Sequence, residues 1–286
     1  MDMGRAPARR IAGTDIVINF WLDTVRGSLL HKSRNEMVNP VTHKAGTDRW
    51  YDYVMFIDSD MAWQVDWVCD LVKQSVEFDL PIHSGLCVRK RSPYRPAIFT
   101  VNPKTGYLTS PVINPDVFDR IQNSGGDIKQ RIHDVDAVGA AFVLIRRDVI
   151  EAIKPPWFFY KYLGCGGPSA TNVDPETTLG DTGEDLYFLG EDVFFCVKAA
   201  EHGFKTTVDL GMWIGHVGDY VYDMTDHIAD LRHRAEMLVR EGKKPGDAKL
   251  IVSPHGEGHN IIGMEGLGDG LSGVRGPGQA VAARNG

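Results

Sequence analysis

One stretch constrains this chain more than any other. Tyr53-Val54-Met55-Phe56-Ile57 is a continuous apolar run that stops at Asp58-Ser59-Asp60. An apolar run of that length, closed by turn-forming residues, has the make-up of a strand buried on both faces. Strands of that kind sit in the middle of α/β sheets, where ligands collect at the carboxyl ends. Asp58 and Asp60 are therefore expected at a ligand-binding edge.

The flanking pattern extends this expectation. Ile16 to Trp21 is a β-prone run suited to a buried strand, and a helical stretch from about Ser28 to Val38 follows it. Trp63 to Phe78 carries an apolar stripe at Val65, Val68, Leu71, Val72 and Val76, as an amphipathic helix would. Ile82–Val88 and the apolar Val135–Ile145 read as strands, and Asp148 as the N-cap of a short helix. Glu191 to His202 reads as a helix stopped by Gly203, Phe204 to Leu210 as a strand, and Thr225 to Glu241 as an amphipathic helix. Strands alternating with helices predict an α/β fold: a single domain with a mixed, mainly parallel, Rossmann-like sheet flanked by helices. The expected divisions are a loose segment at 1–14, the α/β domain at 15–222, a helical segment at 223–253 and a disordered glycine-rich tail at 254–286. Residues 160–190 read as a loop.

Composition narrows the function classes. The net charge is −7 and the isoelectric point about 5.8. That balance gives little non-specific attraction to nucleic acid. Cys69, Cys87, Cys165 and Cys196 form no C-x-x-C pair, so a zinc or redox motif has no support; Cys69 and Cys196 read as small core residues. No window approaches the roughly 20 apolar residues that span a bilayer, and the first residues lack a signal-type apolar core. A soluble cytoplasmic protein is expected.

Two aspartates one residue apart at a strand end can hold a hard divalent cation that keeps positions open for phosphate oxygens. Asp and Ser are also ordinary turn residues. Glu191 and Asp192 fall in the first turn of a predicted helix. There they either complement its dipole or present one carboxylate to a cleft as a general base, Asp192 being the better placed. His216, in Gly215-His216-Val217-Gly218, is either a hydrogen-bonded structural residue or a metal ligand. Arg34 suits phosphate contacts, although a solvated helix face is the simpler expectation. Arg89-Lys90-Arg91 with Tyr94 and Arg95 is a local basic patch.

Five segments in order carry a resemblance: Ser-Arg-Asn-Glu-Met-Val at 33–38, Phe-Ile-Asp-Ser-Asp-Met at 56–61, Val-Gly-Ala-Ala-Phe-Val-Leu-Ile-Arg-Arg at 138–147, Gly-Glu-Asp-Val-Phe-Phe at 190–195 and Gly-His-Val-Gly at 215–218. Over roughly residues 15–220 the chain resembles GT-A glycosyltransferases of the family 2-like and Anp1-like kind. The resemblance implies a nucleotide-diphospho-sugar donor and Mn2+ or Mg2+. It assigns metal ligation to Asp58, Asp60 and His216, and the base of an inverting reaction to Asp192 beside Glu191. Nucleotide-sugar contacts fall to Arg34, Asp58, Ser59, Asp60, Gly139 and Ala140. The acceptor hydroxyl is open among a glycan, a lipid-linked sugar, a protein and a modified nucleobase. The first strand–helix unit of such folds, which helps hold the nucleoside base, is expected to be missing, because only about fifteen residues precede Ile16. Two other functions are compatible with the residues: a non-catalytic nucleotide-sugar-binding module, and a sugar-phosphate nucleotidyltransferase.

Overall fold

The computed structural model describes residues 4–5, 8–22, 29–39, 51–90, 94–101, 108–113, 117, 121, 127–165, 186–242 and 261–262. The elements that build the site are α1 (Leu30–Val38), β1 (Tyr53–Ile57), β2 (Met61–Ala62), α2 (Trp67–Glu77), β3 (Ile82–Cys87), β4 (Ile132–Val135), β5 (Phe142–Arg146), α3 (Arg147–Ala152), α4 (Glu191–Glu201), β6 (Thr206–Val217), β7 (Val221–Tyr222) and α5 (Met224–Arg240).

These strands form a seven-stranded sheet in the order β4–β6–β3–β5–β1, with β2 and β7 added at the far end of β6. Only β6 and β3 pair in parallel; β4–β6, β3–β5, β5–β1, β6–β2 and β6–β7 are antiparallel. The expected mainly parallel sheet is thus corrected to a mostly antiparallel one in a mixed α/β domain. The cause is β5. It leaves a turn at Gly139–Ala141 and runs between β1 and β3 against both. Its two neighbours still run in one direction, and so does β6, so β1, β3 and β6 end at the same sheet edge.

Alternation along β5 assigns the two faces. Val143 and Ile145 join one cluster with Val149 and Ile150 of α3, Val193, Phe195, Cys196 and Ala199 of α4, and Ile228 of α5. Phe142 and Leu144 join the other with Leu71 of α2, Met61, Met212 and Ile214. Helices therefore cover both faces, and β3 between them is buried at every position. Cys69, Cys87 and Cys196 are buried and form no disulfide, as core residues should be.

Other expectations shift. Ile16–Trp21 supplies no strand to the central sheet. Val17–Ile18 pairs with Arg9–Arg10 and Trp21–Leu22 with Gly4–Arg5, so residues 4–5 and 9–10 are ordered into ladders. Val135–Ile145 divides among the end of β4, a two-residue strand at Ala137–Val138 and most of β5. Asp148 lies inside α3, whose N-cap is Arg146. Lys161–Cys165 and Leu186–Leu189 form a ladder within the expected loop. Gly203 sits at φ +86°, the left-handed conformation that ends α4. Arg91, Pro245 and most of the glycine-rich tail lie outside the described residues.

Candidate functional site

The turn after β1 is anchored from three sides. The Asp58 amide donates to the Ala141 carbonyl at 2.9 Å, and the Met61 amide to the Asp58 carbonyl at 3.2 Å. The Val217 amide, at the end of β6, donates to the Asp60 carbonyl at 2.7 Å. Antiparallel pairing of Met61 with His216 and Ala62 with Gly215 completes the attachment. Residues far apart in the chain are thereby locked into one ribbon, with Ser59 exposed at its tip.

Asp60 and His216 face each other across that ribbon. His216 Nε2 lies 3.3 Å from Asp60 Oδ2, and its Nδ1 lies 3.0 Å from the Val88 carbonyl. A carbonyl only accepts, so Nδ1 carries a hydrogen. In the neutral ring Nε2 is then a lone pair aimed at a carboxylate, and such a pair needs a proton or a cation between its members. Lys90 Nζ stands 2.5 Å from the same Asp60 oxygen. Burial pushes the Asp60 carboxyl upward, but the Lys90 hydrogen bond and the charges of His216 and Lys90 outweigh it, leaving Asp60 below the ordinary aspartate value.

Asp58 is engaged elsewhere. Its carboxylate accepts from Arg34 Nη2 at 3.2 Å. Arg34 is 3% exposed, so neither the solvated helix face nor a phosphate contact describes it. Its other partners are the Glu191 carboxylate, through Nη1, and the Ala140 carbonyl at 3.3 Å. The guanidinium ties α1, β1, α4 and the turn before β5 together. Burial raises the Asp58 carboxyl despite the nearby Arg34 charge.

Glu191 and Asp192 separate cleanly. Glu191 is 5% exposed, paired with Arg34 and also hydrogen-bonded to the Tyr160 hydroxyl. That makes Glu191 a positioning residue and not a base. Asp192 is half-buried; Oδ1 accepts from the Val193 amide at 2.7 Å and Oδ2 faces the Ala140 amide at 3.4 Å. A Cβ at Gly190 would come within 2.9 Å of Asp192 Oδ1, so glycine is what admits this carboxylate. Burial, then the charge of Glu191, raise its carboxyl above the ordinary aspartate value, with Arg34 opposing. A carboxylate shifted that way holds a proton more readily than an ordinary aspartate, as a general base should.

Among the described residues no three His, Cys, Asp or Glu side chains converge as a metal cluster. The expected ligand set of Asp58, Asp60 and His216 is therefore reduced to Asp60 and His216. That pair fits a cation that takes its other positions from water and phosphate oxygens, and the observation that supports the fit is the approach of His216 Nε2 to Asp60 Oδ2 at 3.3 Å, which a shared proton or a cation would bridge. Gly139 and Ala140 lie against Asp192 and Arg34. Lys90 was not singled out by sequence, because it was submerged in the Arg89–Arg95 charge run. Asn35 serves the scaffold: its Nδ2 donates to the His31 and Phe158 carbonyls at 2.6 Å, and its Oδ1 accepts from the Trp157 amide at 2.9 Å.

No protein-family model matches the chain, and no curated protein matches it. Among solved structures it is similar to the crystal structure of A197 from STIV, at 16% identity and a TM-score of 0.38, over 68% of this chain and 70% of that one. At that level the residues themselves must carry any conclusion about activity.

Proposed function

We propose that this protein is a glycosyltransferase that moves a sugar from a nucleotide-diphospho-sugar to an acceptor hydroxyl, with Mn2+ or Mg2+ held at Asp60 and His216. The observation that carries the proposal is the Asp60–His216 pair at 3.3 Å, with Nδ1 tied to Val88 so that Nε2 faces the carboxylate. Bound there, the cation supplies Lewis-acid stabilisation of the leaving diphosphate. Lys90 adds a positive charge at the same oxygen, within reach of an incoming phosphate. Arg34 spends its charge on Asp58 and Glu191 and keeps two neighbouring carboxylates from repelling the diphosphate. The acceptor oxygen bonds to the anomeric carbon as the bond from that carbon to the diphosphate oxygen breaks. The electron pair leaves with the nucleoside diphosphate. In an inverting reaction the hydroxyl proton passes to Asp192.

The test is release of nucleoside diphosphate from a panel of nucleotide sugars with Mn2+, for the native protein and Asp60→Asn. Metal-dependent release that collapses in the variant is expected. Equal behaviour of the two proteins would remove the metal role of Asp60. Donor binding by calorimetry with no turnover on any acceptor would select a binding module. Pyrophosphate release from a nucleoside triphosphate and a sugar phosphate would select a nucleotidyltransferase.

A further inference from the structure

The ribbon that carries Asp60 and His216 has a second side. Beyond Ala62 and Gly215 opens a cleft of about 640 Å³, at the edge of β6 between its pairing with β4 and its pairing with β2. That size lies within the range of small-molecule sites, roughly 300–1,000 Å³. Its walls include Trp63, Trp67 and Trp213, half of the six tryptophans of the chain, and its rim carries Gln64, Arg131 and Asp223. Gly211 and Gly215 line the floor, where the side chains of Arg131 and Val221 pack against them.

The polar groups show what this cleft does not bind. Arg131 is committed to Asp209, through Nε at 2.9 Å and Nη2 at 2.7 Å. Asp223 caps α5, accepting from the Thr225 amide at 2.7 Å. Arg131 is neutralised by Asp209 and Asp223 is a helix cap, so no positive charge is left over to select a phosphate or a polyanion. What remains is indole surface with an amide and backbone groups around it. The Trp213 indole N–H is spent on the Leu210 carbonyl at 2.8 Å. Trp63 is 41% exposed, with its inner side toward Phe142 at a centroid distance of 5.7 Å. The electron-rich face of an indole attracts the weakly positive C–H face of a pyranose. Gln64, exposed at the rim, offers hydrogen bonds to hydroxyls.

We infer that the Trp63–Trp67–Trp213 cleft binds an uncharged oligosaccharide, the acceptor whose terminal hydroxyl is presented to the Asp60–His216 side of the ribbon. This rests on the glycosyl-transfer proposal above. Ala62 pairs with Gly215 next to the Met61–His216 pair, so the cleft and the ligand pair are separated by one ribbon, past whose edge the terminal sugar must reach.

The experiment measures tryptophan fluorescence of the full chain against neutral hexasaccharides (cello-, malto-, laminari-, manno- and chitohexaose), alongside donor hydrolysis without acceptor. Expected is saturable quenching by at least one member of the panel, weakened tenfold or more by Trp63→Ala and largely restored by Trp63→Phe, with donor hydrolysis unchanged in both variants. Donor hydrolysis with no response to any saccharide overturns the cleft inference and leaves the transfer proposal standing. Loss of donor hydrolysis in Trp63→Ala, with thermal unfolding unchanged, also overturns it, because the cleft then holds part of the donor. Saccharide binding with no donor turnover keeps the cleft as a saccharide site and removes the transfer proposal.

Discussion

Arg34 and Glu191 are 157 residues apart in the chain and form an ion pair with side chains 4% and 6% exposed. A second bond from the same guanidinium reaches Asp58. Removing one partner of a buried pair leaves the other uncompensated, at a cost of about 3–5 kcal/mol. Arg34→Ala is expected to destabilise the protein by that amount in urea unfolding. Arg34→Met with Glu191→Leu should recover part of the loss, because it removes the stranded Glu191 charge, while Asp58, 36% exposed, keeps its charge in contact with water. A double variant no more stable than Arg34→Ala would show that the pair is not the source of the cost.

Lys90 and a divalent cation compete for one carboxylate. Lys90 Nζ is 2.5 Å from Asp60 Oδ2, and a bound cation must displace or share that contact. Lys90→Ala is expected to tighten Mn2+ binding in the absence of donor several-fold, measured by electron paramagnetic resonance titration. It should also weaken donor binding, since a phosphate partner is lost. Weaker Mn2+ binding in the variant would assign Lys90 a purely supporting role at Asp60.

The fold was legible where local pattern decides structure. The run at Tyr53–Ile57, the stop at Asp58-Ser59-Asp60, the helix over Glu191–Glu201 and its Gly203 terminator all follow from apolar spacing and turn chemistry. Strand direction was not legible. An apolar run such as Phe142–Arg146 has the same composition whichever way it runs, and only the turn at 139–141 sets it antiparallel. The candidate site divides the same way. Asp60, Asp192 and His216 carry motif signals, whereas the burial of Arg34 depends on carboxylates distant in the chain. Gln74, His83 and Asp209 were passed over because periodicity assigns polar residues to the surface. All three are buried here, at 2%, 0% and 0% exposure.

Asp192 sets the pH dependence of transfer if it accepts the acceptor proton. Its carboxyl is raised by burial and by the Glu191 charge. It must be ionised to act, so activity should fall as pH drops through a value above the ordinary aspartate range. The acid limb of kcat/KM is expected there for the native protein. Asp192→Asn is expected to lower kcat by 100-fold or more, taking one general base as worth about 10²–10⁴, while leaving donor binding within a few-fold. An acid limb unchanged in residual Asp192→Asn activity would give the proton to another group.

His83 gives the stability of the sheet its own pH dependence. Its Nδ1 lies 2.9 Å from Thr207 Oγ1 and its Nε2 2.6 Å from Gln74 Oε1, while Gln74 Nε2 donates to Asp209 at 3.0 Å. Since Asp209 fixes the Gln74 amide, Nε2 must carry the ring hydrogen, and the Thr207 hydroxyl has the Ile82 carbonyl at 3.0 Å and Nδ1 of the neutral ring as alternative acceptors for its one hydrogen. Burial pushes His83 down from 6.5 to about 4, with the Asp209 charge opposing. Between those values the unfolded chain binds a proton that the folded ring refuses. Stability therefore decreases as pH falls from about 6.5 to about 4, by about 2–3 kcal/mol near pH 4.5. His83→Asn removes this dependence at some cost at pH 7, where the network loses its ring. The difference in unfolding free energy between native protein and variant, measured in urea at pH 7 and pH 4.5, should shrink or reverse on acidification. A difference independent of pH would mean that folding leaves the ring's proton affinity unchanged, and one that grows on acidification would mean that the ring is protonated in the fold.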